Sequence, residues 1–160
     1  GGFYHSGQVC VSVQRIFVIN GDARLLAEKL ATEATKLTVG NAIKETTECG
    51  PLIRPREVDR VESWVNAALI SGAQALCGGK RLSKTTYDPT VLLNPDASQN
   101  VSTSEIFGPV ICIYDCKSNQ EAIEKANSLE FAFQSAVFSN ELKESLYFFH
   151  NFSCHPARTS

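Results

Sequence analysis

The run Val110-Ile111-Cys112-Ile113-Tyr114 is apolar at five consecutive positions. It offers no polar face to water, so whatever it forms is covered on both sides. It is too short for a buried helix and carries β-branched residues, which makes it a strand inside a layered structure. A second run, Val11 to Ile19 (V-S-V-Q-R-I-F-V-I), grows more apolar toward Asn20-Gly21 and reads as a strand that becomes fully buried. Asp22 then caps a helix with Leu25, Leu26, Leu30 and Leu37 on its apolar stripe and Gly40 as its stop.

The rest of the chain repeats that alternation. A second helix starts after Pro55, with Glu57 in its first turn, a stripe of Val58, Val61, Val65, Leu69 and Ile70, and Gly72 at its end. Ala73 to Leu76 is a short strand, Gly78-Gly79 a turn, and Thr86 to Leu93 an extended stretch closed by Asn94-Pro95-Asp96. Asn119 opens a third helix with Ala122, Ile123 and Ala126 inward. Ser135 to Phe138 reads as a strand, and Glu141 to Phe149 as a fourth helix with Leu142, Leu146 and Phe149 on one face. The order β-α-α-β-β-β-α-β-α predicts an α/β fold: a mostly parallel sheet flanked by helices, in a single domain over residues 1–160.

Charge narrows the function. Fifteen Lys and Arg against 17 Asp and Glu give −2, so no basic excess exists to neutralise phosphates and nucleic acid is not expected as a partner. The apolar runs fall far short of the ~20 residues of a membrane span. No charged-then-apolar leader opens the sequence, which points away from secretion and toward a cytoplasmic setting. The six cysteines, Cys10, Cys49, Cys77, Cys112, Cys116 and Cys154, include no C-x-x-C pair, and His5, His150 and His155 are scattered. Reduced thiols are the simplest reading, and no metal site is expected.

Two stretches could carry chemistry. Gly7-Gln8-Val9-Cys10 stands immediately before a strand, where backbone N–H groups can be left free. A thiolate in such a bend can attack a carbonyl carbon, with the Cys10 N–H donating to the oxyanion. Most free cysteines are instead small buried hydrophobes, and spacing alone favours that reading. The other stretch, Glu105-Ile106-Phe107-Gly108-Pro109-Val110, puts a carboxylate, an aromatic ring and a Gly-Pro turn before the central strand. Glu105 could accept two hydrogen bonds from a diol such as a ribose, and Phe107 needs a partner in the core or in a ligand. By pattern alone a solvated acid and a core aromatic account for it. His5, five residues before Cys10, is a weak candidate base.

The stretches Ser6 to Val18 and Glu105 to Val110, in this order and separation, resemble the aldehyde dehydrogenase superfamily. Between them, Cys49-Gly50-Pro51-Leu52-Ile53 resembles the family's G-P-L-I bend, and Asp88-Pro89-Thr90-Val91-Leu92 its P-T-V-L strand. Further on, Glu121 to Asn127 and Gln134 to Phe138 resemble the E-A-I-x-x-A-N helix and the strand after it. The resemblance runs to about residue 149, and the wording around Cys10 is closest to the branch acting on lactaldehyde- and phosphonoacetaldehyde-type substrates.

This resemblance implies the catalytic domain of an NAD(P)-dependent aldehyde dehydrogenase, which oxidises an aldehyde to a carboxylic acid. Cys10 would add to the carbonyl carbon to give a thiohemiacetal, hydride would pass to NAD or NADP, and water would release the acid from a thioester. Glu105 would bind the nicotinamide ribose, Phe107 would pack on the nicotinamide, and a small aldehyde would be the other partner. The full-length protein would be a homo-oligomer. In this family the cofactor-binding domain, the general-base glutamate and the second oxyanion donor lie upstream of the cysteine. Only nine residues precede Cys10, and residues 150–160 form an atypical tail. The chain therefore reads as a fragment without a cofactor-binding domain and without activity by itself. Two alternatives stay open: a non-catalytic remnant acting as an interaction or regulatory module, and an acylating, coenzyme A-dependent relative.

Overall fold

A computed structural model describes residues 1–129 and 133–152. Four strands, β1 (Arg15–Ile19), β2 (Gln74–Cys77), β3 (Thr90–Leu93) and β4 (Val110–Cys116), form one sheet in the order β1-β4-β3-β2. β1, β4 and β3 run parallel, and β2 lies antiparallel on the far edge. Five α-helices accompany them: α1 (Ala23–Ala34), α2 (Pro55–Ile70), α3 (Asn100–Thr103), α4 (Asn119–Asn127) and α5 (Leu142–Asn151). This is the α/β architecture, mostly parallel and flanked by helices, that the alternating pattern predicts.

The central apolar run accounts for the layering. Ile111 and Ile113 of β4 join Val91 and Leu93 of β3 under α1, while Val110, Cys112, Tyr114 and Cys116 point to the opposite core with Val58, Val61 and Val65 of α2. Both faces of β4 are thus covered, as an unbroken apolar strand requires. Asp22 accepts from the Leu25 N–H at 2.8 Å and starts α1, and Ser118 does the same for α4 through Glu121.

Several details depart from the expectations above. β1 begins at Arg15 rather than Val11 and is half-buried throughout, because β4 covers one edge and nothing among the described residues pairs with the other. α1 packs mainly through the buried Ala23, Ala27, Ala31 and Ala34, with Leu30 partly buried against the same core and Leu25 exposed. Small side chains let the helix lie close on the sheet. α1 also ends at Ala34, well before Gly40: Lys36 and Leu37 donate to the carbonyls of Glu33 and Ala34, three residues back, and tighten the last turn. Ile70 of α2 is exposed rather than on the packed stripe. Ser135 to Phe138 is not a strand: the segment is exposed and has no ladder partner among the described residues. In α5 the buried residue is Phe148, whereas Leu142, Leu146 and Phe149 face outward.

Candidate active site

Parallel neighbouring strands start at the same end of a sheet, so β1 and β4 bring the loops that precede them side by side. Cys10 lies in the first loop and Glu105 and Phe107 in the second. Close packing of the two loops comes from glycine: Gly7 has φ +72°, and a Cβ there would collide with the carbonyl oxygen of Gly108.

Ahead of Cys10 the chain makes a left-handed hook, with positive φ at His5, Ser6 and Gly7. Such a run is strained and persists only where surrounding contacts over-determine it. Those contacts are present. The Ser6 hydroxyl is buried and donates to the Gly50 carbonyl at 2.7 Å, and the Cys49 thiol donates to the Ser6 Oγ at 3.4 Å. The Gln8 amide donates to the Pro51 carbonyl at 3.2 Å and accepts from the Ile53 N–H at 2.9 Å. The Cys49-to-Ile53 bend is therefore a splint for the cysteine loop.

Past the hook, the Ser12 N–H donates to the Val9 carbonyl at 2.9 Å, closing a turn with Cys10 and Val11 at its tip. Cys10 is exposed. No acceptor among the described residues takes its N–H, which leaves that donor free for a ligand oxygen. The other described cysteines differ. Burial pushes the thiols of Cys49, Cys77 and Cys116 up, and that of Cys112 up to about 12. Cys112 hangs below the sheet against the Val101 carbonyl. Cys10 alone of the five pairs exposure with a turn of free amides.

The second loop is held around Ile106. Its side chain is buried; its N–H donates to Gln14 Oε1 at 3.0 Å, and its carbonyl accepts from Arg60 Nη2 at 2.6 Å. Glu105 and Phe107, on either side, are both exposed, and Phe107 sits at φ +48°. An aromatic residue in the left-handed region with its ring open to solvent is uncommon, and it occurs where a structure presents a side chain at some cost. Arg60 itself lies over the Trp64 ring at 4.5 Å and pairs with Glu57, whose carboxyl is held below its usual range by Arg60 and Arg56. Neither Gln14 nor Arg60 stood out in the sequence.

The remaining candidates do not join this cluster. The His5 ring packs tilted against Tyr4, with centroids 4.2 Å apart, and no hydrogen bond links it to Cys10 among the described residues. Gly78 and Gly79 form the expected turn, with the Gly79 N–H given to Thr90 Oγ1 at 2.8 Å. Among the described residues no group of three or more His, Cys, Asp or Glu could hold a metal, and no helix is long and apolar enough to cross a membrane. Toward a nicotinamide dinucleotide the donor set fits one end. An exposed carboxylate can accept both hydroxyls of a ribose, and an exposed ring two residues on can stack against a flat heterocycle. No glycine-rich phosphate cradle is present among the described residues for the other end.

The structure so far defines a layered α/β scaffold in which Cys10, the one exposed thiol among the described residues, lies at the leading ends of two adjacent parallel strands. The sequence matches the profile of the aldehyde dehydrogenase family over residues 1–155, and the chain belongs to that family. The match reaches past Phe149 into the tail. A 3-sulfolactaldehyde dehydrogenase from Priestia aryabhattai is 40% identical over 141 residues, covering 88% of this chain and 29% of that protein. A lactaldehyde dehydrogenase from Methanocaldococcus jannaschii is 38% identical, with 94% and 32% covered. Among solved structures, aldehyde dehydrogenase 21 from Physcomitrella patens, in complex with the reaction product succinate, superimposes with a TM-score of 0.89 at 32% identity over 95% of this chain and 31% of its own. The glyceraldehyde-3-phosphate dehydrogenase GapN of Methanocaldococcus jannaschii, complexed with NADP, gives 0.87 at 38%, with 94% and 32% covered. The chain thus spans about a third of the length of the relatives it matches.

Proposed function

We propose that this chain forms the catalytic part of an NAD(P)-dependent aldehyde dehydrogenase acting on a small functionalised aldehyde of the lactaldehyde type. The observation that carries the reading is the placement of Cys10: an exposed thiol at a turn with a free amide, next to the loop that presents Glu105 and Phe107.

The Cys10 thiolate adds to the aldehyde carbon, forming a C–S bond while the carbonyl electron pair moves to oxygen. The free Cys10 N–H points a donor at that oxyanion and lowers the barrier. Glu105 would accept the ribose hydroxyls of the dinucleotide, and Phe107 would pack against its nicotinamide ring. NAD or NADP, when bound, supplies the hydride acceptor. Hydrolysis of the acyl group on sulfur then needs a base to activate water, and no carboxylate or imidazole hydrogen-bonds Cys10 among the described residues. The 160-residue polypeptide by itself is therefore inactive in this reading, and turnover needs a dinucleotide-binding domain and a base from outside the described residues. A homo-oligomeric, cytoplasmic enzyme belongs to the same proposal.

A chimera joining this chain to the remainder of the Methanocaldococcus jannaschii lactaldehyde dehydrogenase tests it. Cofactor reduction with lactaldehyde, lost on Cys10→Ser, is the expected result. Full activity of the Cys10→Ser chimera overturns the proposal. Formation of an acyl-coenzyme A, with cofactor reduction that requires coenzyme A, would replace hydrolysis by acyl transfer.

A further inference from the structure

We infer that Gln14 is a positioning residue that sets the separation between the Cys10 turn and the loop carrying Glu105 and Phe107; this rests on the proposed roles of those three residues. Gln14 sits at the leading end of β1, four residues after Cys10, a span of at most about 14 Å of chain. Its backbone carbonyl accepts from the Cys112 N–H at 2.8 Å, so its Cα is locked to β4. Its carboxamide then reaches ahead of β4 into the other loop. Oε1 accepts from the Ile106 N–H at 3.0 Å, and Nε2 donates to the Ser104 carbonyl at 2.8 Å, with the Val101 carbonyl at 3.5 Å.

A single side chain here supplies the donor and acceptor that a ladder strand would supply. The loop from Ser104 to Phe107 has no strand partner of its own, and the buried Ile106 amide would otherwise be orphaned. Only a primary amide of this length makes both bonds: leucine makes neither, and a glutamate carboxylate keeps the acceptor but sets a lone pair against the Ser104 carbonyl. Arg60 holds the same residue from α2 through the Ile106 carbonyl, so of these two anchors Gln14 is the one that comes from the cysteine's own segment, just ahead of β1. Gly7 and Gly108 bring the loops into contact, and Gln14 fixes how far Glu105 and Phe107 lie from the sulfur once they touch.

The test reads geometry rather than turnover. In the full 160-residue chain with Glu105→Cys, a short bifunctional methanethiosulfonate should bridge residue 105 to Cys10. Adding Gln14→Leu should lower the bridged yield on the order of fivefold or more, while each thiol alone labels at its former rate. Gln14→Glu keeps the test decisive if the leucine variant fails to fold. Its carboxylate form should bridge poorly at pH 8, and its protonated form, an isostere of the amide, should recover the yield toward pH 5. The chain with Gln14 intact should show no such trend. No bridge with Gln14 intact, or equal yields in all three backgrounds, overturns the inference. Because bridging needs no catalysis, an active Cys10→Ser chimera would remove the enzymatic reading and leave the positioning result standing.

Discussion

Gly7 and Gly108 pack backbone against backbone, leaving no room for a Cβ on Gly7 beside the Gly108 carbonyl oxygen. The contact joins the hook before Cys10 to the turn after Phe107, and nothing larger than hydrogen can occupy it. Gly7→Ala adds both a clash and the cost of a left-handed alanine, so we expect a loss of about 2 kcal/mol or more. Chemical denaturation should show that loss, together with faster proteolysis within residues 5–12. A variant as stable as the parent would mean that the two loops are not held together here.

Thiol chemistry should single out Cys10. Cys49, Cys77, Cys112 and Cys116 are buried or half-buried, and burial holds each of them in the neutral form. Brief treatment with iodoacetamide at pH 8 should label Cys10 on the order of tenfold or more ahead of those four, read by peptide mass mapping. Equal labelling of Cys112 in the folded chain would contradict the placement of that strand.

Most strands and helices were legible before any coordinates, because period and capping chemistry report local structure. Asp22 and Asn119 mark helix starts where the structure has them, and α2 begins at Pro55 itself rather than after it. What was not legible depends on what lies across from a residue. Ala27 and Ala31 carry little hydrophobic signal, yet they pack fully, since the helix lies close to Val91 and Ile113. Ser135 to Phe138 has the composition of a strand but no partner among the described residues. Gln14 and Arg60 act through Ile106, 92 and 46 residues away along the chain, a distance that no local pattern spans.

Stability should form a plateau between two titrations of opposite sign. Glu57, Asp96, Glu121 and Glu144 all have carboxyls lowered by hydrogen bonds from Arg60, Ser98, Lys125 and Ser139 respectively. A depressed carboxyl stabilises above its unfolded value and loses that contribution as pH falls through its folded one, so the thermal midpoint should drop below about pH 4.5. Burial raises Cys112 to about 12, and also raises Tyr87 and Tyr114. A raised thiol or phenol favours the fold below its unfolded value and ceases to do so as pH climbs, so the midpoint should fall again above about pH 9. Circular dichroism melts from pH 3 to 11 read both limbs; a midpoint unchanged at pH 10 would refute the alkaline one.

α5 should make the isolated chain associate with itself. Its buried contact is Phe148, and another face presents Leu142 at 74% exposure and Phe149 at 76%, with Phe138 nearby in sequence at 96%. Each ring or isobutyl group left in water forgoes roughly 1.5–3 kcal/mol of transfer free energy, and several on one helix face make a patch that monomers rarely keep open. Raising the concentration of the 160-residue chain should therefore raise its mean mass in light scattering. Leu142→Glu with Phe149→Glu should return it to a monomer without lowering the thermal midpoint, because neither side chain contributes to the core. A clean monomer at high concentration in the parent chain would show that this face does not drive association.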